Sequence, residues 1–129
     1  MAELKGKCTV PGIVEGELIV SREPISFLGD IDPKTGLIMA TNHPLKGQSI
    51  KGKIFAFPSG KGSTVGSYVI FQMKKNGTAP LAIINKEAEA IVAVGAIISD
   101  IPMVTGVDIE KLKSGSRVRL DCAKGLVLA

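Results

Sequence analysis

The sequence predicts a single mixed α/β domain over residues 1–129, rich in short strands. Its 129 residues amount to one domain by length. Apolar residues make up 45% and aromatics only 4%, with no Trp, so a core has to be built from Val, Ile, Leu and Ala. Fifteen glycines and seven prolines divide the chain into many short elements joined by tight turns. Predicted strands outnumber helices and no regular βαβ alternation is visible, which favours a mixed domain over a doubly wound sheet.

Residues 4–10 alternate and stop at Pro11-Gly12, giving a short strand and a turn. Residues 13–20, with Val14, Leu18 and Ile19, form a second strand. Prolines, glycines and aspartates then make 23–36 a long structured loop. A short strand is expected at 37–40, a turn at Asn42-His43-Pro44, and a strand over 49–57. Residues 64–75 read as a helix, stopped by Lys74-Lys75-Asn76-Gly77, which puts cations and then a glycine at its C-terminal end. Residues 80–84 read as a buried strand. Residues 87–100 have helical spacing at Ile91, Val94, Gly95 and Ile98 but also β-branched content; their length favours helix. Short strands at 103–105, 117–122 and 126–128 complete the chain, with Gly106, Gly115 and Gly125 at their turns.

Charge and cysteine content narrow the function. The net charge is +4 and the basic residues are scattered, without a Lys/Arg block or enough aromatics to stack bases. Nucleic acid is therefore not an expected partner, whereas an anionic small molecule or an acidic protein surface fits. Cys8 and Cys122 lie near opposite ends without CxxC spacing, so the chain alone builds neither a zinc site nor an iron–sulfur site. Charges near the N-terminus stand where a signal peptide needs an apolar core, and no apolar run is long enough to span a bilayer. A soluble cytoplasmic protein with no membrane partner is expected.

The chemistry is expected in Phe57-Pro58-Ser59-Gly60-Lys61-Gly62-Ser63-Thr64-Val65-Gly66-Ser67-Tyr68. Here an apolar strand, a glycine turn and a helix start follow one another, a context in which backbone N–H groups can hold an anion. The stretch is not a P-loop, because Lys61 is followed by Gly62 and Phe55 stands where the first glycine belongs. Nor is it a dinucleotide fingerprint, since Val65 occupies the position of the last glycine. An ordinary glycine-rich turn with capping hydroxyls is the plainer alternative. His43, Asp30 and Asp32 read most simply as turn residues, and both cysteines as small buried thiols.

Several blocks in register resemble a known family. They are Pro24-Ile25-Ser26-Phe27-Leu28-Gly29-Asp30-Ile31-Asp32-Pro33-Lys34-Thr35-Gly36, His43-Pro44-Leu45-Lys46-Gly47, and Pro58-Ser59-Gly60-Lys61-Gly62-Ser63. Asn76-Gly77-Thr78-Ala79-Pro80, Val94-Gly95-Ala96-Ile97, Pro102-Met103-Val104 and Gly115-Ser116-Arg117-Val118 continue the match over nearly the whole chain. Together they resemble the small subunit of the aconitase X family.

That resemblance implies a swivelling β/β/α domain, active only when docked on a large subunit that holds an iron–sulfur cluster, usually [4Fe–4S]. The free-standing form with Gly-Lys-Gly-Ser-Thr is similar to the archaeal type, which dehydrates 5-phosphomevalonate to trans-anhydromevalonate 5-phosphate in the mevalonate pathway. By the same resemblance Ser63 is the proton-abstracting base, with Ser59 the second choice. Ser59, Gly60, Lys61, Gly62 and Thr64 would bind substrate, and Lys61 would either stabilise the Ser63 alkoxide or hold a substrate anion. Ser26, Gly29, Asp30 and His43 would line the site or the subunit interface. Two alternatives stay open: a small subunit dehydrating cis-3-hydroxy-L-proline, and a non-catalytic swivelling or phosphohistidine-like module.

Overall fold

The computed structural model describes residues 3–62 and 64–128. In chain order the elements are β1 (Glu3–Lys5), β2 (Lys7–Val10), β3 (Ile13–Val20), a kinked turn α1 (Phe27–Asp30), β4 (Ile54–Phe57) and α2 (Gly66–Asn76). They continue with β5 (Ala82–Asn85), α3 (Ala90–Ser99), β6 (Met103–Thr105), a 3₁₀ turn (Ile109–Lys111), β7 (Arg117–Asp121) and β8 (Leu126–Leu128). The strands form one mixed sheet in the order β1-β8-β7-β3-β4-β5-β6-β2. Strands β3, β4, β5 and β6 run parallel, and the remaining pairings are antiparallel.

The two outermost strands of that order are consecutive in the chain and separated by Gly6 alone, so the sheet curls round until its edges meet in one interrupted strand. Closure removes the exposed edges that would otherwise template aggregation. Gly6 is where the chain passes from one neighbour to the other. Its N–H donates to the Gly125 carbonyl at 2.7 Å, and a Cβ there would run into the Thr105 carbonyl oxygen.

The curled sheet has two buried faces. Leu18, Val20, Ile54, Ala56, Ala82, Ile84, Val104, Val118, Leu120 and Val127 form the inner cluster, closed by Val107, Ile109, Leu112 and Cys122. The alternate residues Ile19, Phe55, Phe57, Ile83 and Met103 face outward, against Ile70 and Met73 of α2, Val92 and Ala96 of α3, and Ile25, Phe27, Ile31, Ile38 and Ile50 of the 21–53 connection. This two-sided burial is why β4, and β5 as far as Asn85, read as apolar runs and not as alternating strands. Phe27, Phe55 and Phe57 meet edge-on or tilted, with ring centroids 4.7–6.4 Å apart. Each such pair adds about 0.5–1.5 kcal/mol beyond the area it buries.

Several expectations change. The strand expected over 4–10 is split by Gly6 into β1 and β2. The strand expected over 49–57 shrinks to β4, because 49–53 turns sharply, with Ser49 contributing only an isolated bridge to Leu37. Residues 37–40 likewise form bridges, Ile31 to Ile38 and Leu37 to Ser49, not a strand. The segment β4-α2-β5-α3-β6 is a regular parallel βαβαβ run, which the sequence reading did not see. Its strands are only three or four residues long, too short to show a periodicity of their own. Residues 87–100 resolve as helix α3, started by the Glu89 side chain, which accepts from the N–H groups of Ile91 and Val92.

Candidate functional site

Because β3 to β6 are parallel, their C-terminal ends lie on one edge of the sheet, where ligands gather in α/β folds. The 58–65 loop leaves β4 on that edge and enters α2. Its first half is held from both sides. The Asn85 side chain donates to the Phe57 carbonyl at 2.9 Å, and the N–H groups of Lys86 and Glu87 both donate to the Pro58 carbonyl at 3.0 Å. On the other side, the Ile25 N–H donates to Ser59 O at 3.1 Å and the Lys61 N–H donates to Ile25 O at 3.0 Å. These last two bonds close a parallel bridge between Ile25 and Gly60.

Two glycines are needed here for different reasons. At buried Gly60 a Cβ would sit 2.5 Å from both Glu89 Oε1 and Val92 Cγ2, so the start of α3 leaves no room for a side chain. Gly62 has φ +85°, and a Cβ there would fall 2.6 Å from Ser26 Oγ. A left-handed residue cannot belong to a right-handed helix. The helix expected from residue 64 starts at Gly66, with Val65 at the cap position and no side-chain cap. At the far end Gly77 and Thr78 donate back to Lys74 O and Met73 O, closing α2 where its sequence predicts.

The site residues expected from sequence are thus brought onto one loop. Ser59 is half-buried with its carbonyl engaged, Gly60 is buried, and Lys61, Gly62 and Thr64 are exposed. Ser63 lies outside the described residues. Among those described, Lys61 makes no ion pair. Ser26 packs beside Gly62, donates from Oγ to Leu28 O at 2.9 Å, and has its N–H held by Asp30 Oδ2 at 2.9 Å. Asp30 is thus a brace for the turn that carries Ser26, and Gly29 is the kink in that turn, at φ +102°.

His43 braces its own turn. Its Nδ1 accepts from the Leu45 N–H at 3.0 Å, so the ring proton sits on Nε2, 2.9 Å from Ser21 Oγ. The side chain is 5% exposed. A phosphohistidine domain needs a ring that solvent and a donor can reach, and this one is committed to holding its turn.

Among the described residues no group of three or more His, Cys, Asp or Glu converges as metal ligands. Cys122 lies in the inner core. Burial first, then neighbouring Cys8 and Asp121, pushes its thiol up to about 12, away from the thiolate form a metal requires. Cys8 on β2 is exposed, contrary to the buried thiol expected from sequence. The residues described therefore do not fit an iron–sulfur cluster. A large recess, about 540 Å³, is lined by Pro33, Lys34, Gln72 and Asn76 along the last turn of α2. It lies at the opposite end of that helix from the loop, and these four residues bring no acid, thiol or hydroxyl.

Exposed apolar side chains surround the loop instead. Leu28 in the turn carrying Ser26, Val65 at the helix cap and Tyr68 in the first turn of α2 are 49%, 42% and 70% exposed. Helix α3 packs on α2 through Gly66 against Ile91 and Gly95 against Ser67 and Ile70. Its outer stripe of Val94, Ile97 and Ile98 is also about half exposed. Helical spacing showed that α3 had an apolar face but not which face its partner α2 would leave uncovered. Ile25, Asn85 and Glu89 were also missed: only the folded register sets them against the loop, and Asn85 alone left a trace, as a polar end to an apolar strand.

Comparison with known proteins agrees over nearly the full length. A family model described as the aconitase X swivel domain matches residues 3–129. The chain is 62% identical over 125 residues to the phosphomevalonate dehydratase small subunit of Pyrococcus furiosus, covering 97% of this chain and 93% of that protein. It is 56% identical over 128 residues to the protein of the same name from Methanosarcina acetivorans, covering 97% and 89%. The crystal structure of holo aconitase X from Thermococcus kodakaraensis superposes with a TM-score of 0.97 at 60% identity, over 99% of this chain and 98% of that one. A protein solved in solution by NMR gives 0.89 at 46% identity, over 98% and 97%. The chain belongs to the aconitase X swivel-domain family.

Proposed function

We propose that this chain is the small subunit of a hetero-oligomeric hydro-lyase, that the complex dehydrates 5-phosphomevalonate to trans-anhydromevalonate 5-phosphate, and that the 58–65 loop supplies the base. What carries this reading is identity near 60%, over almost the whole chain, to proteins named phosphomevalonate dehydratase small subunit. The loop geometry supports it: a backbone held from Phe57 to Lys61 can present the next residues to a substrate without the entropy of ordering them.

In this mechanism Ser63 Oγ takes a proton from the carbon next to the substrate carboxylate. The C–H electron pair forms the new double bond, and the hydroxyl on the adjoining carbon leaves as hydroxide and takes up one proton, in net the one Ser63 accepted, to become water. A serine needs help to act as a base. The N-terminal end of the α2 dipole, three residues on, and the Lys61 ammonium favour negative charge in this region. Ser59, Gly60, Lys61, Gly62 and Thr64 would contact the anionic substrate. The cluster would be held by the large subunit and would supply Lewis acidity to the leaving hydroxyl.

The large subunit would cover the apolar surface that is continuous with the loop: Leu28, Val65 and Tyr68, then Val94, Ile97 and Ile98 across the packed pair of helices. Among the described residues no helix is long and apolar enough to cross a membrane, and the complex would work in the cytoplasm. The test is anaerobic co-purification with the large subunit, followed by assay of 5-phosphomevalonate and cis-3-hydroxy-L-proline on the complex. Turnover of the phosphomevalonate only by the assembled pair is expected. Turnover of the hydroxyproline alone would overturn the substrate assignment, and activity of the chain without a partner would overturn the half-enzyme reading.

A further inference from the structure

The most unusual polar group outside the loop is the Asn85 side chain. Asn85 ends β5 and is fully buried. Its Nδ2 donates to Phe57 O at 2.9 Å and to Ile84 O at 3.2 Å. Two carbonyl oxygens on one side fix the amide orientation, since the flipped form would set Oδ1 against both of them. Oδ1 is left buried with no donor among the described residues. A buried acceptor without a partner is unfavourable, and an apolar side chain of similar size would avoid that while filling the same space. Packing alone therefore does not account for asparagine here.

What only an amide supplies is the bond to Phe57 O. Phe57 is paired in register with Asn85 and is the last residue before Pro58-Ser59-Gly60. The following residues of the same turn continue the grip, with Lys86 and Glu87 holding Pro58 O and the Glu89 carboxylate packed against Gly60. We infer that Asn85 is a positioning residue: through Phe57 O it sets where the 58–65 loop leaves the sheet, and so where the reacting group on that loop meets the substrate. This rests on the proposed function for its kinetic reading only.

The primary test is Asn85→Val in the assembled complex. Because displacement of a reacting group by about 1 Å can cost ~100-fold in rate, kcat should fall by about 10- to 100-fold. KM for 5-phosphomevalonate should move by less than about threefold and the melting temperature should stay near that of the parent chain. Unchanged kcat overturns the inference, as does a loss that follows KM or melting alone. If that variant does not fold, Asn85→Asp decides. Only its protonated carboxyl can donate to Phe57 O, so its kcat relative to the parent should rise as pH falls, and a flat ratio would contradict the role. If the parent complex fails to dehydrate 5-phosphomevalonate, amide exchange in the chain alone still tests the positioning. The Lys61 N–H should exchange at least tenfold faster in Asn85→Val, and an unchanged rate would overturn the inference.

Discussion

The parallel half of the sheet and the antiparallel half are held together by the same kind of core but differ in what else they contain. In the antiparallel half, β7 alternates exposed Arg117 and Arg119 with buried Val118 and Leu120, and Cys122 and Val127 complete an apolar interior. Packing and closure explain nearly every residue there. In the parallel half the strand ends carry features that packing does not explain: at the end of β5 a buried amide whose acceptor has no partner among the described residues, and in the first turn of α2 a tyrosine left 70% exposed. Local rules are broken together at one edge of the molecule, as expected where a fold gives up stability for function.

That contrast predicts that substitutions in the two halves separate activity from stability. The largest effect is expected from Tyr68→Asp with Ile97→Asp, which place charge on the apolar face flanking the loop. Both side chains are more than half exposed, so the isolated chain should melt normally. Affinity for the large subunit should fall by about 100-fold or more, since losses of 2 kcal/mol or more per residue are typical of interface hot spots. Titration of one subunit with the other measures this, and unaltered assembly would break the contrast.

Gly62→Val comes next. It forces a β-branched residue into a left-handed conformation beside Ser26 Oγ, at a cost of about 1–3 kcal/mol. kcat should drop by about tenfold or more through displacement of the loop, a larger effect than the loss of stability accounts for. Gly6→Ala, at the seam between the two halves, should do the reverse. Its methyl group meets the Thr105 carbonyl and should destabilise the domain by about 1–3 kcal/mol, with kcat per folded molecule unchanged. A denaturation curve and an activity assay on the same preparation distinguish the two outcomes.

The smallest effect concerns pH. The Cys122 thiol ionises near 9.0 ordinarily but only at about 12 in the folded chain. Its contribution is fully present below pH ~9 and is lost as pH rises from ~9 towards ~12, because only the unfolded state releases the proton in that window. Denaturant midpoints should therefore decline above pH ~9, and more gently in Cys122→Ala.

Much of this was legible in the sequence. The strands at 13–20, 103–105, 117–122 and 126–128 and the end of α2 at Gly77 follow from local pattern and turn chemistry. Blocks in register point to the family, and the Ser59–Gly62 stretch to the loop. What was not legible depends on pairing at a distance. The Gly6 seam exists because β1 and β2 reach opposite edges of one sheet. Helix α2 starts at Gly66, two residues past the expected start, and the left-handed turn at Gly62 that precedes it has no signature beyond the glycine itself. Asn85 matters only because β5 pairs with β4 in the register that sets it opposite Phe57. His43 reads as a turn residue from its Asn-His-Pro setting, and its hydrogen bonds to Ser21 and Leu45 hold that turn.

The most direct test is turnover of 5-phosphomevalonate by the anaerobically assembled complex carrying Ser63→Ala, beside the parent complex and each subunit alone. The proposed role predicts that the variant assembles with the large subunit as the parent does, that neither subunit alone is active, and that kcat falls by about 100-fold or more, as loss of a general base entails. Near-parental turnover by the Ser63→Ala complex would contradict it.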